Sequence, residues 1–421
     1  MRLQIKPGLC QVWRGPRTVQ IGLDAHRGTV VDGLTSQDRN LIEQLTVGLD
    51  EDARDACGRR WLAGDARAHE LVRLLSDAGV LIRSRAGRAA LSRLGPQRDR
   101  LVADARVWSV VHEDAGDAWE LLAARADREV EVVGGGRTGA SLAMMLAAAG
   151  VGRVRVRDPD QVGPQDVVPG GVGMGDVGRP REEAVRLALR RLGHRPGPAG
   201  RRPDLVVLVD HTVADATAAD PLLAADVPHL SVVAGEAGAT VGPLVLPGRG
   251  PCLRCLELHR ADRDPGWPRL LAQLLSGRRR PGAEESTCAS LTAALACLQV
   301  VGHLDGGRTP AALAATLEVE LPDGLISRRD WPAHPACGCH WPPAPPSAHH
   351  RPAARPGTPT QPGTPAPPSA HHRPAARPGT PTQPGTPARP GTPARDGERA
   401  EAGSQAEQVG GNDQAPGRMP V

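Results

Sequence analysis

Two sets of residues have types and spacings suited to chemistry. The first is Gly134-Gly135-Gly136-Arg137-Thr138-Gly139, which fits G-x-G-x-x-G. In such a turn Gly134 permits the tight bend, Gly136 lets the backbone approach a phosphate, and Gly139 lets helix and strand pack closely. An acid about 20 residues further on can accept hydrogen bonds from ribose hydroxyls. Asp158 lies near that spacing, with Asp160 beside it. A plain packing turn that holds no ligand has the same glycines.

The second set is Cys252-Leu253-Arg254-Cys255 and, after a long stretch, Cys337-Gly338-Cys339. Four thiolates from two short-range pairs can close a tetrahedral structural zinc site. Unligated buried thiols or a redox pair are the other readings, and His334 and His340 are reserve ligands. The chain has eight cysteines, four of them in close pairs, which points to metal binding in a reducing compartment rather than to a disulfide framework. Cys288 and Cys297 lie in a small-residue helix candidate, 288–303, and read as buried thiols; a nucleophilic Cys288 would need a basic, part-exposed setting that the sequence does not supply.

The elements that position the glycine turn follow from its flanks. Glu129 to Val133 is β-rich, Ala140 to Ala149 is apolar and small with Gly150 as C-cap, and Arg153 to Arg157 alternates Arg and Val at period two. Strand, turn, helix and strand make a mononucleotide-binding βαβ unit, with the helix N-terminus facing an anion. Further alternation follows: a glycine-rich, aperiodic loop at 166–181 that could act as a lid, an amphipathic helix at 182–192, and a buried parallel strand at 204–209 ending at Asp210. A helix at 214–225, a strand at 230–233 and a hairpin over 316–329 complete it. Such β/α alternation predicts a doubly wound parallel sheet whose ligands sit outside the carboxyl ends of the strands. That places Asp210 to reach the nucleotide or its Mg²⁺, the other reading being a helix cap.

Residues 1–95 read as a small winged-helix-like domain. A hairpin at 11–23 turns at Gly15-Pro16, a third strand follows at 28–31, and Thr35-Ser36-Gln37-Asp38 starts a helix carrying Leu41, Ile42 and Leu45. A second helix fits 65–78 and a last strand 80–82. Three roles suit that plan: a structural cap, DNA binding, or capture of an extended peptide by strand addition. A connector spans 96–128, with Val107–Val111 as a strand and 115–126 as a helix.

Composition narrows the classes. There is no Phe or Tyr, and Lys6 is the single lysine among 51 Lys+Arg. A GC-rich genome accounts for that bias, and with a net charge of +4 the arginines make nucleic acid an unlikely partner. The N-terminus has no apolar signal region, and no uninterrupted apolar run approaches the ~18 residues of a membrane helix. The expectation is a cytoplasmic protein without membrane contact. Residues 342–421 change to Pro, Gly and Thr, with 343–364 repeated unchanged at 365–386. Such a tail cannot bury a core and should be disordered.

With the glycine turn, Asp158, Asp210 and the cysteine pairs in place, residues 129–341 resemble the ThiF-type fold of ubiquitin-like-modifier-activating enzymes. GPCLRCLELHRADRDPGWP at 250–268 and HPACGC at 334–339 carry the resemblance most specifically. Residues 1–85, with IKPGL at 5–9 and VWRGPRTVQIGLD at 12–24, are similar to a peptide-recognition domain. Two-part proteins of this kind serve ribosomal-peptide pathways, notably thiazole/oxazole-modified microcin (bacteriocin) biosynthesis, where the front domain binds a precursor's leader peptide. The resemblance implies ATP at Gly134, Gly136 and Gly139, and ribose at Asp158 and Asp160. It also implies an Arg, a Lys and a Mg²⁺-binding Asp that drive attack of a carboxylate on the α-phosphate.

This chain departs from that pattern. The expected Asn-x-x-Arg falls on Asp166 and Pro169, the lysine on Arg181, and Asp-Cys-Thr-Asp reads Asp210-His211-Thr212-Val213. Adenylation needs cations to stabilise a charged phosphorus centre. Arg181 and Asp210 remain as catalytic candidates, with Arg179 in the loop as a substitute cation. The losses favour a scaffold that binds a leader peptide and docks a cyclodehydratase-type partner enzyme, with structural zinc and with homodimerisation left open. The enzyme alternative is an adenylyltransferase using Mg²⁺–ATP; a third is a winged-helix DNA-binding regulator. An NAD-dependent oxidoreductase shares the glycine turn but leaves the cysteine pairs without a reason.

Overall fold

The chain was described from a computed structural model, which places residues 2–24, 27–50, 66–84, 88–112, 118–194, 202–276 and 283–340. Trp341, the repeat tail and its histidine pairs lie outside the described residues.

The front of the chain builds two small antiparallel sheets around one aliphatic core. Arg2–Ile5 (β1) lies between Leu49–Asp50 and Leu81–Ser84, while Gln11–Gly15 (β2), Thr18–Ile21 (β3) and Thr29–Val31 (β4) form a meander. The hairpin is as the sequence predicts. β1 went unforeseen, because four residues with two apolar side chains give little periodicity. Its alternation still points Leu3 and Ile5 inward against Val19, Ile21, Leu41 and Leu45. Ser36–Val47 (α1) begins at the predicted capping box: the Asp38 N–H donates to Thr35 Oγ1 at 3.2 Å and the Thr35 N–H to Asp38 Oδ2 at 2.7 Å. Leu49–Asp50 (β5), Ala66–Asp77 (α2) and Leu81–Ser84 (β6) complete this part.

Arg88–Leu94 (α3), Val102–Val111 (α4) and Ala118–Arg125 (α5) share a second core. Val107–Val111 is therefore helical, which corrects the predicted strand. Its β-branched residues suggest a strand locally, but Leu101, Ala105 and Trp108 at helical spacing meet Leu122, and that burial outweighs propensity. Arg125, 1 % exposed, forks onto Asp305 and donates to the Ala149 carbonyl at 3.1 Å, fixing α5 to the larger layer behind it.

That layer is a seven-stranded sheet whose strands lie in the order 325–330, 315–320, 238–245, 229–234, 205–211, 129–133 and 153–157. Glu129–Val133 (β7) leads through Arg137–Ala148 (α6) to Arg153–Arg157 (β8), then Arg181–Arg191 (α7), Leu205–His211 (β9), Ala216–Ala224 (α8) and His229–Ala234 (β10). These four strands are parallel. Gly238–Val245 (β11), Leu253–Arg263 (α9), Trp267–Ser276 (α10), Ser286–Asp305 (α11), Ala315–Glu320 (β12) and Leu325–Asp330 (β13) follow, and the last three strands run antiparallel. Because β8 and β9 flank β7 on opposite sides, the chain reverses winding at the carboxyl end of β7. Such a switch point opens a crevice there.

With no Phe or Tyr, the core closes by bringing helices near. Ala140, Ala143 and Ala147 on α6 and Ala293 and Ala296 on α11 let these helices pack tightly. By length and composition α11 is apolar enough to cross a membrane, yet half of its span is buried against α6 and the sheet.

Candidate functional site

The glycine turn sits at the switch point, and its geometry explains two of its glycines by contact. Gly134 has φ +104°, and a Cβ there would fall 2.6 Å from the Val209 carbonyl oxygen; at Gly139 it would fall 1.9 Å from the Gly134 oxygen. Gly136 differs. A Cβ there would meet only Asp166 Oδ1 at 3.8 Å and His211 Nε2 at 4.0 Å, so the backbone is open to an approaching group. Gly136 is also the N-cap of α6, whose first N–H groups face the same side.

The residues expected to grip ribose and phosphate are in contact with one another. Asp158, 5 % exposed, accepts from the Gly135 N–H at 2.6 Å and from Arg181 Nη1 at 3.1 Å through Oδ2, and from the Asp160 N–H at 2.9 Å through Oδ1. Arg181 also donates to Asp166, from Nε to Oδ2 at 3.1 Å and from Nη2 to Oδ1 at 3.0 Å and Oδ2 at 2.9 Å, and reaches Asp160 at 3.4 Å. Burial works against the Arg181 charge, but Asp166 and Asp158 outweigh it and raise its pKa. The guanidinium is thus paired with carboxylates of the protein itself.

The rest of the expected machinery is similarly engaged. Arg179 pairs with Glu183 at 3.0 Å. The glycine-rich segment before Arg181 is not a loose flap: Asp166 and Asp176 are buried, each accepts the N–H of a glycine three residues earlier, and Gln161 bridges to Pro180. Asp210, the penultimate residue of β9, accepts a long bond from the Asp215 N–H at 3.4 Å, while Asp215 caps α8. Between them Thr212 has φ +70°, with the Val213 N–H bonded to the His211 carbonyl at 2.8 Å. A γ-turn of this hand is rare and strained, the more so at a β-branched residue.

Two residues at the site were not singled out by the sequence for a role there. His211 overhangs Gly136, and Glu284, just before α11, places Oε1 3.9 Å from His211 Nδ1. The sequence signal for His211 was its departure from the family's cysteine; for Glu284 there was none. Glu284 lines a cavity of about 310 Å³ together with Thr138, Gly235, Cys288, Thr292 and Leu321. Burial raises the Cys288 thiol pKa against the lowering effect of Thr292, and Glu285 and Glu284 add to the rise, which disfavours the thiolate form.

The fold does bring the four cysteines together. Cys252 Sγ lies 3.9 Å from Cys255 Sγ and 3.6 Å from Cys337 Sγ, and Cys255 Sγ lies 3.4 Å from Cys339 Sγ. Sulfurs about 2.3 Å from a tetrahedral zinc would stand roughly 3.8 Å apart. The four side chains can therefore hold a metal ion. Burial and neighbouring thiols push the Cys252 pKa to about 11, a cost that a bound cation would reverse. His334 is otherwise occupied: its Nδ1 accepts the Ala336 N–H at 3.1 Å, which leaves the proton on Nε2, 2.9 Å from Asp262.

Comparison with known proteins agrees with this architecture. Residues 116–195 match the ThiF family. No curated protein sequence matches the chain. Among solved structures, E. coli MccB with ATP is 16% identical, with a TM-score of 0.56 over 80% of this chain and 99% of that one. The microcin C7 biosynthetic enzyme MccB in complex with N-formylated MccA is 15% identical, with a TM-score of 0.58 over 81% and 100%. PaaA is 15% identical, with a TM-score of 0.55 over 77% and 98%. At these identities the likeness is one of fold. The ThiF-type resemblance read from the glycine turn and the cysteine pairs stands, and the fold is that of MccB.

Proposed function

We propose that the chain acts in ribosomal-peptide modification of the bacteriocin kind, as a ThiF-fold scaffold. Residues 1–95 bind the leader of a precursor peptide, and the larger part docks a cyclodehydratase-type partner, braced by structural zinc at Cys252, Cys255, Cys337 and Cys339. Support for a peptide partner comes from the fold shared with MccB, which has been solved bound to the peptide MccA. One observation carries the preference for scaffold over enzyme. Arg181, the cation at the family's lysine position, is held by Asp158 and Asp166, so the ribose acid and the phosphate cation neutralise one another. A nucleotide would have to break that cluster before gaining anything from it.

Adenylation is the second reading, favoured by the open approach to Gly136 and by the MccB structure with ATP. In it Arg181 leaves Asp158 for the phosphates, Asp158 turns to ribose, and Asp210 holds Mg²⁺. Calorimetry and ATP–pyrophosphate exchange with the cognate precursor separate the two. The scaffold predicts precursor binding with exchange at background. Exchange above background that Asp158→Ala abolishes would establish the enzyme instead.

A further inference from the structure

A second site lies beside the glycine turn, and its charge is the reverse of what an adenylating centre needs. The cavity between the start of α6 and the start of α11 is lined by Glu284 with Glu236 and Glu285, and among the described residues by no lysine or arginine. The Glu284 side chain is 8 % exposed, and its Oε1 is fully covered yet accepts no hydrogen bond. Leaving a carboxylate so placed is costly unless a counter-charge meets it. Among the described residues the nearest basic group is His211, 3.9 Å away and a counter-charge only when protonated, while Arg137 donates to the Glu284 backbone carbonyl at 2.6 Å and to Ser286 Oγ rather than to the carboxylate. Glu285 is committed as the N-cap of α11, bonding the Cys288 N–H at 2.8 Å, and Glu236 is exposed, so Glu284 is the covered acid at the cavity.

We propose that this cavity binds an organic cation, a guanidinium or primary ammonium on an alkyl stem, with Glu284 as its counter-ion. Charge-assisted bonds to Glu284 Oε1 hold the head, and Thr138 and Thr292 line the same space. Cys288, Ala289 and Leu321 supply apolar wall for the stem. A metal ion does not fit. Among the described residues, the groups that converge tightly enough for one are the four cysteines and His259, Asp262 and His334, and the cavity's carboxylates are not among them. A volume of about 310 Å³ accommodates a single extended side chain rather than a folded ligand. The site stands on its own geometry; only the source of the cation, an arginine or lysine of a bound peptide, rests on the peptide reading above.

The test is calorimetry on the full chain with n-butylguanidinium, its neutral isostere n-butylurea, and butyrate. Butylguanidinium should bind, butylurea should bind about tenfold more weakly, and butyrate should not bind. Glu284→Gln should bring butylguanidinium down to the level of butylurea without lowering the melting temperature of the unliganded chain. Ala289→Leu, which fills the wall, should weaken both. Absence of butylguanidinium binding, equal binding of the two isosteres, or an unchanged affinity in Glu284→Gln would overturn the proposal. Leader-peptide binding by the same samples is measured separately, so the two readings fail independently.

Discussion

At the scale of single residues, the glycines of the turn divide by what their missing side chains would strike. Gly139 and Gly134 are demanded by contact with backbone oxygen, whereas Gly136 borders open space. Gly139→Ala should therefore cost about 2 kcal/mol or more of stability, since overpacking against a fixed carbonyl cannot relax cheaply. Gly136→Ala should stay within about 1 kcal/mol of the parent while narrowing the approach to the turn. Urea unfolding of the two variants checks both, and equal losses would refute the distinction. Sequence spacing identified these glycines. It also identified Asp158, Asp160 and Arg181, and what it did not show is that the fold brings them into contact with one another.

At the scale of elements, caps and stripes were the legible features. The helix at 36–47 begins where Thr35 and Asp38 predict, and Arg67 from the next helix reinforces the box with an ion pair to Asp38 at 2.8 Å. Burial raises the Asp38 pKa, but Arg67 and Thr35 outweigh it and hold the carboxyl below its ordinary value. A group whose folded pKa is depressed contributes stability above its unfolded value, near 3.9, and loses it as pH falls through the folded one. Asp38→Asn should thus lower the protection of residues 36–47 in hydrogen exchange at pH 7 by about 1 kcal/mol, with the difference from the parent shrinking below about pH 3.9. A constant difference across that range would argue against the ion pair. Elements without caps were harder. The helix at 88–94 and the strand at 2–5 are short, and the Val107–Val111 helix hides behind β-branched residues.

At the scale of the whole molecule, the pairing of distant cysteines is the strongest test of the fold. Cys252 and Cys255 start α9, whereas Cys337 and Cys339 follow the last strand, so an ion there closes a long loop. Purified chain should carry about one zinc by elemental analysis, and Cys337→Ser should reduce it well below that. Chelation should lower the melting temperature by several degrees, because binding free energy at a structural site is folding free energy. A metal-free chain with the same melting temperature would leave the four thiols as packing alone.

What the sequence determined by itself was local or pairwise in kind. The glycine turn, the capping box, the β/α alternation and the two short cysteine pairs each depend on residues a few positions apart, where spacing fixes geometry. Partners across the chain were decided only by the tertiary structure. Arg181 is spent on Asp158 and Asp166 because the end of β8 and the start of α7 meet over the turn. Glu284 acquires a role because α11 brings it to a cavity beside Thr138, far away in sequence. Whether a charged side chain faces a ligand or a neighbour depends on which opposite charge lies within about 4 Å, and no spacing along one chain encodes that distance.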